Sequence, residues 1–202
     1  KLNNIFDINK IFLFNIGSNF SLYLVYLFIN KYNIKYFKFI FTGNNKGNFI
    51  KLYNYLKLEK SNLFFLDGNL NYNYLKMFNL SNNIFNNIND FLNSKKFNYF
   101  TSMNYGLINS MIIKKYSIKN IGLIDDGFAN WIMSNTFYLL IKSLLYSIAL
   151  KGIIFLDKNI YKNDKIKINV THLNDYKIYD IDKTIFLHQD LLNIIKKTSL
   201  NH

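Results

Sequence analysis

The sequence has no cysteine, no proline and only 8 glycines in 202 residues. Without cysteine there can be no disulfide, thiolate metal site or cysteine nucleophile, and a reducing compartment, the cytoplasm by default, suits such a chain. No uninterrupted apolar run reaches the roughly 18 residues that a membrane-spanning helix needs. Residues 20–29 are too few, and Lys142 interrupts residues 137–149. Neither the phosphate-loop pattern Gly-x-x-x-x-Gly-Lys nor the dinucleotide pattern Gly-x-Gly-x-x-Gly occurs, so ATPase and dinucleotide oxidoreductase readings lose their main support. No His, Asp and Glu set has metal-ligand spacing.

What remains is a chain built for burial. Half of its residues are hydrophobic, far from the composition of disorder. The abundance of Asn, Lys, Ile, Tyr and Phe is what an AT-rich coding sequence produces, so the Asn runs carry little weight. Ile84, Phe85, Ile88, Phe91 and Leu92 keep a helical period through them. The formal charge of +13 favours an anionic partner: a nucleotide-sugar phosphate, a nucleic acid or the anionic surface of a membrane. The lysines are scattered, with no polybasic arm.

Short apolar runs alternate with helix-period segments, the pattern of a parallel α/β sheet. The runs lie at residues 10–15, 36–42, 62–66, 97–101 and 121–124, with helices expected at 20–31, around 49–56, at 81–93 with Ser81 as cap, and at 107–116. This predicts an α/β, Rossmann-like, doubly wound parallel sheet, whose ligands sit at the carboxyl ends of its strands. The expected division is a first domain at 1–150, a crossover or linker at 151–183, and the opening of a second domain at 184–202. Within it, 135–150 reads as an apolar helix, and 153–156 and 166–170 as strands. Both ends of the sequence read as cuts, so a fragment is expected.

The fifth run leads directly into Asp125-Asp126-Gly127. Adjacent carboxylates repel, and partial burial raises the pKa of one of them, which is how a carboxylate becomes a general base near neutral pH. Gly127 allows a sharp turn there. Asp-Gly is also an ordinary turn, as at Asp67-Gly68. Phe128 and Trp131 follow closely, where aromatic faces can pack on a sugar or in a core. His172 and His188 are isolated and take no role.

The early strand with its Gly17-Ser18-Asn19 loop, the stretch 123–130 around Asp125-Asp126-Gly127, and the later 185–192 segment together resemble the bacterial sialyltransferases of glycosyltransferase family 52, the lipooligosaccharide sialyltransferases, and related polysialyltransferases. The resemblance implies the first domain of a GT-B type two-domain enzyme. Asp125 would be the general base toward the acceptor hydroxyl, with Asp126 and Gly127 shaping the site and Gly17, Ser18, Asn19 and Phe128 binding substrate. It implies CMP-sialic acid as donor substrate, a glycan acceptor, and no metal or other cofactor. Such a protein would be cytoplasmic, peripheral to the inner membrane, and compatible with a homodimer. The family's His-Pro motif has no counterpart in a chain without proline, so the fragment is expected to be inactive alone. Two alternatives stay open: a GT-B glycosyltransferase with another donor, and a non-catalytic basic α/β protein that binds RNA. Against RNA stand the lack of arginine and an acidic pair at the ligand edge.

Overall fold

A computed structural model describes residues 6–7, 9–66, 74–93, 95–102, 107–118, 120–125, 166–171 and 183–187. Seven parallel strands form one sheet in the order β3-β2-β1-β4-β5-β6-β7. They are β1 (Ile11–Ile16), β2 (Phe37–Phe41), β3 (Leu63–Phe65), β4 (Phe97–Thr101), β5 (Ile121–Ile124), β6 (Ile166–Thr171) and β7 (Lys183–Phe186). Among the described residues four α-helices accompany them: α1 (Asn19–Tyr32), α2 (Lys46–Tyr55), α3 (Tyr74–Leu92) and α4 (Leu107–Lys115).

The strands are apolar almost without interruption because helices cover both faces of the sheet. On one face Phe12, Phe14, Phe39, Phe41 and Phe100 pack with Leu22, Val25 and Phe28 of α1 and Phe49 and Tyr53 of α2. On the other, Leu13, Ile40, Tyr99 and Ile121 pack with Ile84, Ile88 and Leu92 of α3 and Ile108 and Ile112 of α4. Neighbouring residues of β1 thus alternate between two cores, and the sheet is doubly wound. The chain steps outward from β1 to β3, then returns past β1 to β4, which leaves β1 and β4 as the pair where the direction of winding reverses.

Phe100 is the centre of the first core. Its ring lies 4.9 Å from Phe6, 5.7 Å from Phe12, and 5.3 Å from both Phe14 and Phe28, centroid to centroid. Gly122 is its register partner on β5. A Cβ at Gly122 would lie 2.1 Å from two carbons of the Phe100 ring, so only glycine lets the ring settle on the strand.

Each helix is followed by a non-glycine residue with positive φ: Asn33 (49°), Lys57 (54°), Asn93 (50°) and Ser117 (48°). After α1, α2 and α4 the next residue is apolar, and its N–H bonds five residues back: Ile34 to the Ile29 carbonyl at 3.0 Å, Leu58 to Tyr53 at 3.3 Å and Ile118 to Ile113 at 3.1 Å. These are Schellman ends, which satisfy carbonyls the helix leaves open.

The five expected strands fall where the apolar runs lie, and two parts of the sequence reading are corrected. Residues 81–92 are helical, but α3 begins at Tyr74, so Ser81 lies inside the helix rather than at its start. The strand expected at 166–170 is present as β6, but it pairs with β5 rather than standing in a linker, and 184–186, expected to open a second domain, lie in β7 of this same sheet. Ile168, Val170, Ile185 and Leu187 are all buried in the first core, and this burial draws both segments into the sheet. The expected helix at 135–150 and strand at 153–156 lie outside the described residues. Among the described residues, no helix is long and apolar enough to cross a membrane.

Candidate functional site

Because every strand is parallel, all their carboxyl ends meet one edge. There the apolar runs close on buried polar residues: Asn15 near the end of β1, Thr42 after β2, Thr101 and Ser102 at the end of β4, and Asp125 after β5. Burying a polar group without a partner is costly, and two of these groups, Thr42 and Asn15, start a chain of hydrogen bonds. The Thr42 hydroxyl donates to Asn15 Oδ1 at 3.2 Å, Asn15 Nδ2 donates to the Tyr99 hydroxyl at 3.1 Å, and that hydroxyl donates to Asn109 Oδ1 at 2.6 Å. The relay runs in one donor direction from β2 through β1 and β4 to α4.

The loop after β1 is held from two sides. The Gly17 N–H donates to the Ser102 hydroxyl at 3.2 Å, and the Ser102 N–H donates to the Asn15 carbonyl at 3.0 Å, stitching the reversal point between β1 and β4. Gly43 faces the same loop so closely that a Cβ there would lie 2.0 Å from the Gly17 carbonyl oxygen. Ser18 then caps α1: its hydroxyl accepts from the Ser21 N–H at 3.1 Å and lies 2.9 Å from the Ser21 hydroxyl. Asn19 opens the first turn and is exposed. Of the three residues expected to bind substrate here, Ser18 thus has a structural use of its hydroxyl as well.

Asp125 is the first residue beyond β5 and is 4% exposed, the sole buried carboxylate among the described residues. Its N–H donates to the Val170 carbonyl at 2.9 Å, so β6 fixes its backbone. Carboxylates are almost never fully buried unless paired or used. Asp125 and the Gly17-Ser18-Asn19 loop share the carboxyl edge with one strand, β4, between them, or about 10 Å at ordinary strand spacing. Asp126, Gly127, Phe128, Trp131, His172 and His188 lie outside the described residues.

Burial pushes the Tyr99 hydroxyl well above the ordinary tyrosine range, against the opposing pull of hydrogen bonds with Asn15 and Thr101. Burial, and then the negative charge of Glu59, raise Tyr53 likewise. Both folded-state values exceed those of the unfolded chain, so the stability these residues give is intact below about pH 10 and falls as pH rises further. Urea midpoints measured from pH 8 into the alkaline range should therefore decline, and Tyr99→Phe should show the shallower decline. An equal slope in the variant would remove Tyr99 from this account.

Sequence reasoning missed the polar relay. One signal was available: Asn15, Thr42, Thr101 and Asp125 each sit at or just past the carboxyl end of an apolar run. No protein-family model matches this sequence, and no curated protein or solved structure matches it either.

Proposed function

We propose that this chain is the acceptor-side domain of a two-domain glycosyltransferase, with sialic acid passing from CMP-sialic acid to a terminal sugar of a surface glycan. The observation that carries the reading is the buried carboxylate of Asp125 at the carboxyl edge of a doubly wound parallel sheet, where such folds present catalytic groups. Asp125 takes the proton of the acceptor hydroxyl as its oxygen attacks the anomeric carbon. The bond from that carbon to the CMP phosphate breaks, and CMP leaves with the bonding electrons. Oxocarbenium character develops at the sugar in the transition state, and one direct displacement inverts the configuration. The rigid Gly17–Gly43–Ser102 junction supplies a floor that does not shift when an acceptor arrives. The reading requires a donor-holding second domain.

The decisive experiment incubates the protein expressed from its gene with CMP-sialic acid and a galactose-terminated oligosaccharide, and follows the sialylated product by mass spectrometry. Product is expected. Its absence with every sialyl acceptor, together with transfer from a different nucleotide sugar, would move the protein to another donor class.

A further inference from the structure

The opposite, amino edge of the sheet carries a second concavity that the Asp125 reading does not use. It has a volume of about 450 Å³, within the range of small-molecule sites. It lies beneath the starts of β1 and β4, and its walls include Lys10, Lys95, Lys96, Phe97, Asn98 and Tyr116. Three features give it a chemical character.

The first is charge. Three lysines and no carboxylate line the cavity, among the described residues. Asp7 pairs with Lys10 at 3.6 Å, with both side chains exposed. Nearby Lys38 of β2 is held below its ordinary value by burial and then by the positive charge of Lys95, so the cations here crowd one another. The second is a buried acceptor. Asn98 is 8% exposed and its Nδ2 donates to the Asp7 carbonyl at 2.7 Å, whereas its Oδ1 takes no donor among the described residues. A buried amide oxygen without a donor is costly, and a ligand hydroxyl or amino group would satisfy it. The third is a fixed aromatic wall. Phe97 and Tyr116 meet edge to face at 5.1 Å, and the Tyr116 hydroxyl is anchored on Asn89 Oδ1 at 2.6 Å.

We propose that this amino-edge cavity binds a small phosphate ester of nucleoside monophosphate size, its phosphate among Lys10, Lys95 and Lys96, its ring against Phe97 and Tyr116, and a ring substituent donating to Asn98. Lysine binds phosphate through charge and hydrogen bonding together. The flat ring matches the aromatic wall, and the donor matches Asn98. The inference is independent of the glycosyltransferase reading: along β4 alone, about 13 Å separate the edge at Phe97 from the edge at Thr101.

The test is calorimetry at low salt with AMP, adenosine and inorganic phosphate as probes. AMP should saturate below about 1 mM, with adenosine and phosphate each about tenfold weaker or more. The double variant Lys95→Gln, Lys96→Gln changes two exposed side chains, so its circular dichroism should match that of the parent while AMP binding weakens about tenfold or more. Asp125→Asn should bind AMP as the parent does. The proposal is overturned if phosphate binds as tightly as AMP, if AMP shows no saturation, or if the lysine variant binds like the parent. Loss of AMP binding in Asp125→Asn would also overturn it, by moving the nucleotide to the carboxyl edge. Short single-stranded RNA binding far more tightly than AMP would replace it with an RNA surface.

Discussion

Replacing Asp125 by Asn should lower kcat by roughly 10²- to 10⁴-fold while leaving donor affinity nearly unchanged. The substitution keeps the shape of the side chain while removing its negative charge and its capacity to take a proton. The backbone bond from residue 125 to the Val170 carbonyl is retained, since it involves no side-chain atom. Stability should accordingly move little, so a thermal melt separates a chemical effect from a folding effect. Steady-state kinetics of sialyl transfer in the variant is the measurement. The companion variant Asp126→Asn should cost less in turnover if Asp125 is the base. A dead Asp126→Asn beside a normal Asp125→Asn would reverse the assignment within the pair. Full activity in both would reduce the pair to a turn.

Phe100→Ala should be among the most destabilising single changes in the protein, by about 3–5 kcal/mol. The ring is fully buried and touches four other phenylalanine rings, so its removal leaves a void that those rings cannot all close. Gly122→Ala should cost about 1–3 kcal/mol for the opposite reason, because the added methyl meets the same ring. The informative quantity is their coupling. In a Phe100→Ala background the methyl of Gly122→Ala enters vacated space, so its cost should vanish or change sign. Urea denaturation of the two single variants and the double variant measures this. Strict additivity would mean that ring and glycine do not share the space described.

Much of this architecture was readable before any coordinates. A strand buried on both faces must be largely apolar, so β1, β2, β4 and β5 stand out as mainly apolar runs, and their placement follows from the turns between them. The start of α3 was not readable in the same way. Ser81 has the chemistry of a cap, yet serine inside a helix costs only a few tenths of a kcal/mol, and Leu75, Met77, Phe78 and Leu80 carry apolar sequence well ahead of it. The strand at 166–170 was legible, but its membership of this sheet was not, since β6 is placed by pairing with β5 and β7 by pairing with β6. Asp125 could be placed at the ligand edge because a strand points at it. The relay through Asn15 and Tyr99 joins residues 84 positions apart, and no local pattern encodes such a meeting. It exists only because the winding reversal seats β4 beside β1.

The endings of the four helices have a practical consequence for engineering. A left-handed backbone costs a residue with a Cβ something that glycine avoids, and asparagine bears that cost more lightly than lysine or serine. Lys57 and Ser117 therefore mark two surface positions, both exposed, where the native choice is not the most stable one. Lys57→Gly and Ser117→Gly should each raise stability by about 0.5–1 kcal/mol, and together by nearly the sum, since they end helices on opposite faces of the sheet. Parallel melts of the two variants check this, and a fall in melting temperature in either would contradict it. Thermostabilised versions of this protein could thus be made at helix exits, with Lys57 outside the amino-edge cavity and Ser117 on its wall.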